Sequence, residues 1–280
     1  MGTEMPVTWK VDFGDILEVL NSGVRRSDVF MGIGLNSATS DPSISHVLST
    51  KGAGVQLVKT DLTDEEKKSV AHEFGKWIRA NGFRELLETF SIYLLRLYDV
   101  IYNLHQAYGD GSKIMDVRRF ERLGICDQID YLRKFISILD ERVTILQSLN
   151  QARNCYAHRR GLVGDADLDA DTGTFDVSWL RLVYEVQEPD GTIIPEEEMF
   201  GRFLPKGGAV RIRVELTKKS FAPGDELVLE KEDLKYICLC VHTIGHGLAD
   251  ETLKYALARG AEAIPAPEPE VKAISQDDQQ

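Results

Sequence analysis

Arg153, Asn154 and His158 stand close together in the segment SLNQARNCYAHRRGLV, residues 148–163. A guanidinium offers a rigid fork of N–H donors to an anion, an imidazole titrates near neutral pH, and a carboxamide can orient either one. On a helical wheel of about 100° per residue, Leu139, Val143, Leu146, Leu149, Tyr156 and Ala157 share one broad apolar arc. Arg153 follows Leu146 by two full turns and falls near the centre of that arc. A charge buried there without a partner is expensive, so Arg153 must meet a counter-charge, line a cleft or face another subunit. The purely structural alternative is an interhelical ion pair with Glu85, Glu88 or Asp99 of the preceding helical segment. Asn154 and His158 are four residues apart and are neighbours on the adjoining edge of the same helix. Three polar side chains therefore converge at the end of an apolar helix, and local rules tend to break at functional sites.

The helix that carries them is expected from Asp140 to about His158, with Gly161 available to stop it. Upstream, Thr63 followed by Glu66, with Asp64 and Glu65 in the first turn, reads as a capped helix start. The pattern Val70, Phe74, Trp77, Ile78 pauses at Asn81-Gly82 and resumes through Leu86, Leu87, Phe90, Leu94, Leu97 and Ile101. It predicts two helices, or one with a kink at the glycine. A further helix is expected over Gln128–Ile138. After the acidic linker GDADLDADTG, the alternating runs TFDVSWLRLVYEV and AVRIRVELT, separated by EPDG and FLPKGG, predict two or three antiparallel strands. Residues Lys231 to Arg259 return to helical periodicity and predict one or two closing helices. The fold class is thus mainly α: a helical bundle over residues 63–262 with a small antiparallel β insertion, about 174–230, before the closing helices. Residues 1–62 form an N-terminal helix and loop segment of unclear role, in which MGIGLNS and KGAG read as loops, since neither has the context of a phosphate loop. The Pro-rich, acidic tail 263–280 is expected to be disordered.

The 280 residues, 43% of them hydrophobic and 28% charged, suit a globular protein, and a net charge of −12 rules out binding nucleic acid through overall basicity. Any such role needs a local site. No apolar run is long enough to span a bilayer and the start lacks a secretion signal, so a cytoplasmic chain away from membranes is expected, with its four cysteines as reduced thiols. Cys238, His242, His246 and Asp250 are spaced by four, which zinc tolerates on a helix. That segment is mostly apolar and is interrupted by Gly245 and Gly247, so no metal and no cofactor are expected. Cys155 is expected to pack rather than react.

The segment 148–163 also resembles the signature of the HEPN family (higher eukaryotes and prokaryotes nucleotide-binding), written R-x(4–6)-H and often RNxxxH, through Arg153, Asn154 and His158. With the helical order around it, the resemblance covers residues 64–260. It implies a HEPN-like helical bundle, usually a homodimer whose two motif helices meet at a shared cleft, and in many members a metal-independent endoribonuclease. On RNA, His158 would act as acid and base. Arg153 would hold non-bridging oxygens of the phosphorane, and Asn154 would orient His158 or bind the phosphate. The product would be a 2',3'-cyclic phosphate. The resemblance further implies a toxin or antiviral defence role, with a separate antitoxin or regulator protein. Its alternative is a non-catalytic HEPN module that binds a nucleotide or a protein partner. Members regulated by nucleotidyl modification carry a tyrosine two residues after the motif histidine, where this chain has Arg159 and Arg160. Those two arginines are expected either as contacts to phosphates flanking the cut or as solvated cations favoured by the helix macrodipole.

Overall fold

A computed structural model describes residues 10–39, 46–49, 52–59, 61–109, 111–199, 201–205, 207–262 and 264. The expected disordered tail lies, apart from Ile264, outside the described residues.

Thr63 closes a reciprocal capping box: its hydroxyl accepts from the Glu66 amide at 3.2 Å while its own amide donates to the Glu66 carboxylate at 2.9 Å. From this cap α2 (Asp64–Tyr108) runs for 45 residues as one helix, with Gly82 inside it. Of the two forms expected, two helices or one kinked at the glycine, the chain takes a single helix, and α1 (Phe13–Thr39) supplies the reason. The two helices pack antiparallel, and a Cβ on Gly82 would stand 2.2 Å from the Met31 side chain of α1. Gly82 thus permits close approach instead of ending a helix. Gly34 of α1 does the same against Ile78 of α2, where an added Cβ would meet the isoleucine at 2.5 Å. MGIGLNS, expected as a loop, is therefore the last part of α1. Through Ile16, Leu20, Met31 and Leu35 the N-terminal helix belongs to the same core as the rest.

That core is centred on α2, whose Phe83, Leu87, Phe90, Tyr93, Leu94, Leu97 and Tyr98 are fully buried. Around it lie α3 (Val117–Glu121), α4 (Ile125–Leu132), α5 (Asp140–Arg159) and α7 (Lys231–Ala258). The helix expected over 128–138 begins and ends earlier, because Gly124 caps it in an extended conformation. The chain then turns after Leu132 to bury Ile136 and Ile138. The closing segment is a single helix.

The β insertion is a three-stranded antiparallel sheet of order β4-β3-β5, built from β3 (Phe175–Gln187), β4 (Ile193–Pro195) and β5 (Ala209–Phe221), with the short α6 (Glu196–Met199) after β4. Strands β3 and β5 pair one to one from Phe175↔Phe221 to Gln187↔Ala209. Phe175, Val177 and Trp179 of β3 enter the helical core. An unexpected hairpin, β1 (His46–Ser49) with β2 (Gly54–Val58), follows α1. Among the described residues no helix is long and apolar enough to cross a membrane.

Candidate functional site

Helix α5 enters through Leu139, in extended conformation, and ends where Arg160 turns left-handed at φ 55°. Gly161 follows at φ 79° and donates its amide to the Cys155 carbonyl at 3.1 Å. This closure fixes the last turn, which holds His158 and Arg159. Val143, Leu146, Leu149 and Tyr156 are buried as the wheel predicts, while Leu139 and Ala157 are exposed. Leu139 precedes the helix. Ala157 lies one turn beyond Arg153 on the same face, so the apolar arc leaves the core just where the guanidinium stands. Arg153 thereby escapes full burial, with its side chain 30% exposed.

The guanidinium is held from two sides. Its Nη1 donates to the Asn154 carboxamide oxygen at 3.0 Å, and its Nη2 lies 3.6 Å from Glu88 Oε1. Of the three carboxylates considered from sequence, the structure selects Glu88, since Glu85 is engaged by Arg26 at 2.8 Å. The Glu88 contact exceeds hydrogen-bond length and is shared, because the same oxygen lies 3.3 Å from Arg84 Nε. Arg153 Nε is buried and finds no hydrogen-bond partner among the described residues. His158 is exposed, and no hydrogen bond or ion pair ties its ring to another described residue. It follows Arg153 by five positions, a rise of about 7.5 Å along the helix.

The two arginines after His158 have different environments. Arg159 forks around Asp167, with Nε donating to Oδ2 at 2.7 Å and Nη2 paired to Oδ1. That carboxylate also accepts from the Gly164 amide at 3.0 Å and so anchors the helix end to the following loop. Expected as a phosphate contact, Arg159 instead spends its fork on a buried acid, and of the two Arg160 is the exposed one. Asp167 is the residue that sequence reading missed, because it sits in a run of acids that reads as a linker. The one available signal was its spacing three residues after Gly164, which suits a cap. Cys155 is fully buried and its thiol is pushed up to about 11 by burial, which suits packing.

The Cys238 to Asp250 line does not assemble a ligand set. The rings of His242 and His246 lie 4.3 Å apart, but burial pushes the Cys238 thiol up to about 12, and among the described residues no three His, Cys, Asp or Glu side chains are placed to share a metal. A groove of about 570 Å³ nearby is lined by residues of α1 and α7, among them Arg25, Asp28, Lys235 and His242, with none from α5. Compared with protein-family models, curated proteins and solved structures, the chain matches none.

Proposed function

We propose that the end of α5 is the active site of a metal-independent endoribonuclease of the HEPN type, working as a homodimer on RNA. One observation carries the reading: Arg153 is pre-ordered by Asn154 yet tied only to a shared, long carboxylate contact, while His158 on the same helix end is open to solvent. A phosphodiester can replace Glu88 at the guanidinium, because a carboxylate shared at that distance contributes little binding energy. The ribose 2'-OH attacks the adjacent phosphorus and the 5'-oxygen leaves, giving a 2',3'-cyclic phosphate. His158 takes the 2'-OH proton or gives one to the leaving oxygen. The negative charge growing on the non-bridging oxygens faces the fork of Arg153, where charge-assisted hydrogen bonds are strongest. Arg160, exposed just beyond, would reach a flanking phosphate. By family analogy the biological setting is a toxin or antiviral defence system in which RNA cleavage arrests growth, restrained by a regulator protein.

A second reading, a non-catalytic HEPN module that binds a nucleotide or protein partner, draws its support from the Glu88 contact, which would then serve packing. The test is incubation of the purified chain and of His158→Ala and Arg153→Ala variants with a mixed tRNA and mRNA pool in EDTA, followed by mapping of the ends. Cuts ending in 2',3'-cyclic phosphate that fall by about 10²–10⁴-fold in His158→Ala are expected. No cutting by the parental chain, or equal cutting by the variants, would favour the binding module.

A further inference from the structure

Strand β5 presents an apolar stripe to solvent. Val210, Ile212, Val214 and Leu216 alternate along it and are 63%, 59%, 61% and 54% exposed. The strand pairs with β3 on one side only, and its outer edge pairs with no strand among the described residues. Proteins usually blunt such an edge with a proline, a bulge or a lysine. The lysines of β5, Lys218 and Lys219, stand at its far end, residues 209–216 carry neither proline nor lysine, and the unbroken register with β3 excludes a bulge. A long, flat, apolar edge of this kind is a template for another strand.

The charges on the strand say which one. The opposite face of β5 carries Arg211, Arg213 and Glu215, with Arg213 Nη1 2.6 Å from Glu215 and its Nε 3.1 Å from Glu185 of β3. Suppose β5 pairs antiparallel with itself about Val214. Arg213 then stands opposite Glu215 of the second copy on one side of the two-fold and Glu215 opposite Arg213 on the other, while Ile212 meets Leu216 and Val214 meets Val214. Centring the pair on Arg213 would set like charges face to face, and centring it on Glu215 would do so with two carboxylates. Any register shifted by one residue would bring the apolar stripe onto the charged face. Of these registers the pairing about Val214 sets opposite charges face to face and matches the centre of the apolar stripe, with Val210 opposite Lys218 at each end.

We infer that β5 is the docking edge for a second copy of this chain, joined by antiparallel β5–β5 pairing centred on Val214. The two three-stranded sheets then form one continuous sheet through an isologous interface. This edge is separate from the motif helix end. The far end of β5 leads to Asp225, whose carbonyl accepts from Val163 just after α5, and residues 209–216 run away from that junction. The inference therefore stands apart from the reaction proposed above, and neither of its readouts uses RNA.

The experiment uses the full chain in a Cys126→Ser background, so that the one partly exposed thiol is removed. Val214→Lys is expected to halve the sedimenting mass of the parent, a multiple of the 31.4 kDa chain mass, with unchanged far-UV circular dichroism, whether or not the motif helices of α5 also pair. Under mild oxidation Val214→Cys should form a reducible covalent dimer. Ile212→Cys alone should not, yet should cross-link when mixed with Leu216→Cys. A monomeric parent, or a parental mass that Val214→Lys leaves unchanged, would overturn the interface. Self-cross-linking of Ile212→Cys as efficient as that of Val214→Cys would overturn the register.

Discussion

Arg159 and Asp167 form a lopsided pair: the carboxylate is 3% exposed, while the guanidinium that forks around it remains 32% exposed. The asymmetry fixes what each deletion leaves behind. Arg159→Ala strands a buried negative charge that keeps only neutral neighbours, the Gly164 amide and the Cys155 thiol, at a cost of about 2–3 kcal/mol. Asp167→Ala leaves an arginine that can turn to water, at about 1–2 kcal/mol. Urea denaturation of both variants should rank Arg159→Ala as the more damaging. The reverse order would mean that the pair behaves as a surface ion pair and does not anchor the end of α5.

Two glycines of α1 should respond in opposite directions to the same change. A Cβ on Gly32 meets nothing within 4 Å, so Gly32→Ala should stabilise by about 0.5–1 kcal/mol through helix propensity and reduced chain entropy. At Gly34 the same methyl would lie 2.5 to 2.9 Å from three carbons of Ile78, a branched side chain with little room to rotate. The propensity gain is then outweighed by about 1–3 kcal/mol of overpacking. Equilibrium unfolding should place the two variants on opposite sides of the parent. A stabilised Gly34→Ala would show that α1 does not pack on α2 this closely.

These glycines also mark what a single sequence reveals and what it hides. The capping box at Thr63 and the three- and four-residue apolar recurrence are local signals, and α2 starts where they place it. The alternation of β3 and β5 was legible for the same reason. Gly34 and Gly82 carried the opposite message, since glycine in isolation signals a break. Only Ile78 and Met31, distant in sequence, make each a contact point between helices. At the candidate site the rule-breaking arginine was visible from periodicity, and its counter-charge was narrowed to three acids. Choosing Glu88 needed the knowledge that Arg26 of another helix already engages Glu85. Asp167 was hidden among neighbouring acids because nothing local distinguishes a buried carboxylate from a solvated one.

Acid sensitivity should have one identifiable source in the groove between α1 and α7. Burial, and secondarily the neighbouring His246, hold His242 below its ordinary value of 6.5. Arg25, Asp28 and Lys235 line the same groove. The folded chain then binds fewer protons at His242 than the unfolded chain does. Its stabilising contribution is complete above the unfolded value and is lost as pH falls through that value toward the lower folded one. Denaturation midpoints should drop as pH falls through and below about 6.5, and His242→Gln should flatten that part of the curve. A curve that the substitution leaves unchanged would assign the acid sensitivity to other groups.

Glu88 is where the two readings of the motif part most sharply. If the contact with Arg153 is a tether that RNA must displace, Glu88→Gln removes the competing charge while keeping the side-chain shape. Cleavage at limiting RNA should then rise, by up to about fivefold for a contact worth about 1 kcal/mol. Thermal stability should barely move, since exposed pairs contribute about 0–1 kcal/mol. If instead Glu88 exists to neutralise a packing arginine, the same substitution leaves Arg153 half-buried without a counter-charge and lowers stability with no gain in cleavage. Arg153→Lys completes the comparison. It keeps the charge but loses the planar fork, so ribonuclease chemistry predicts a fall in cleavage that Glu88→Gln does not rescue, whereas a packing role predicts near-parental stability and no change in whatever cleavage the parent shows.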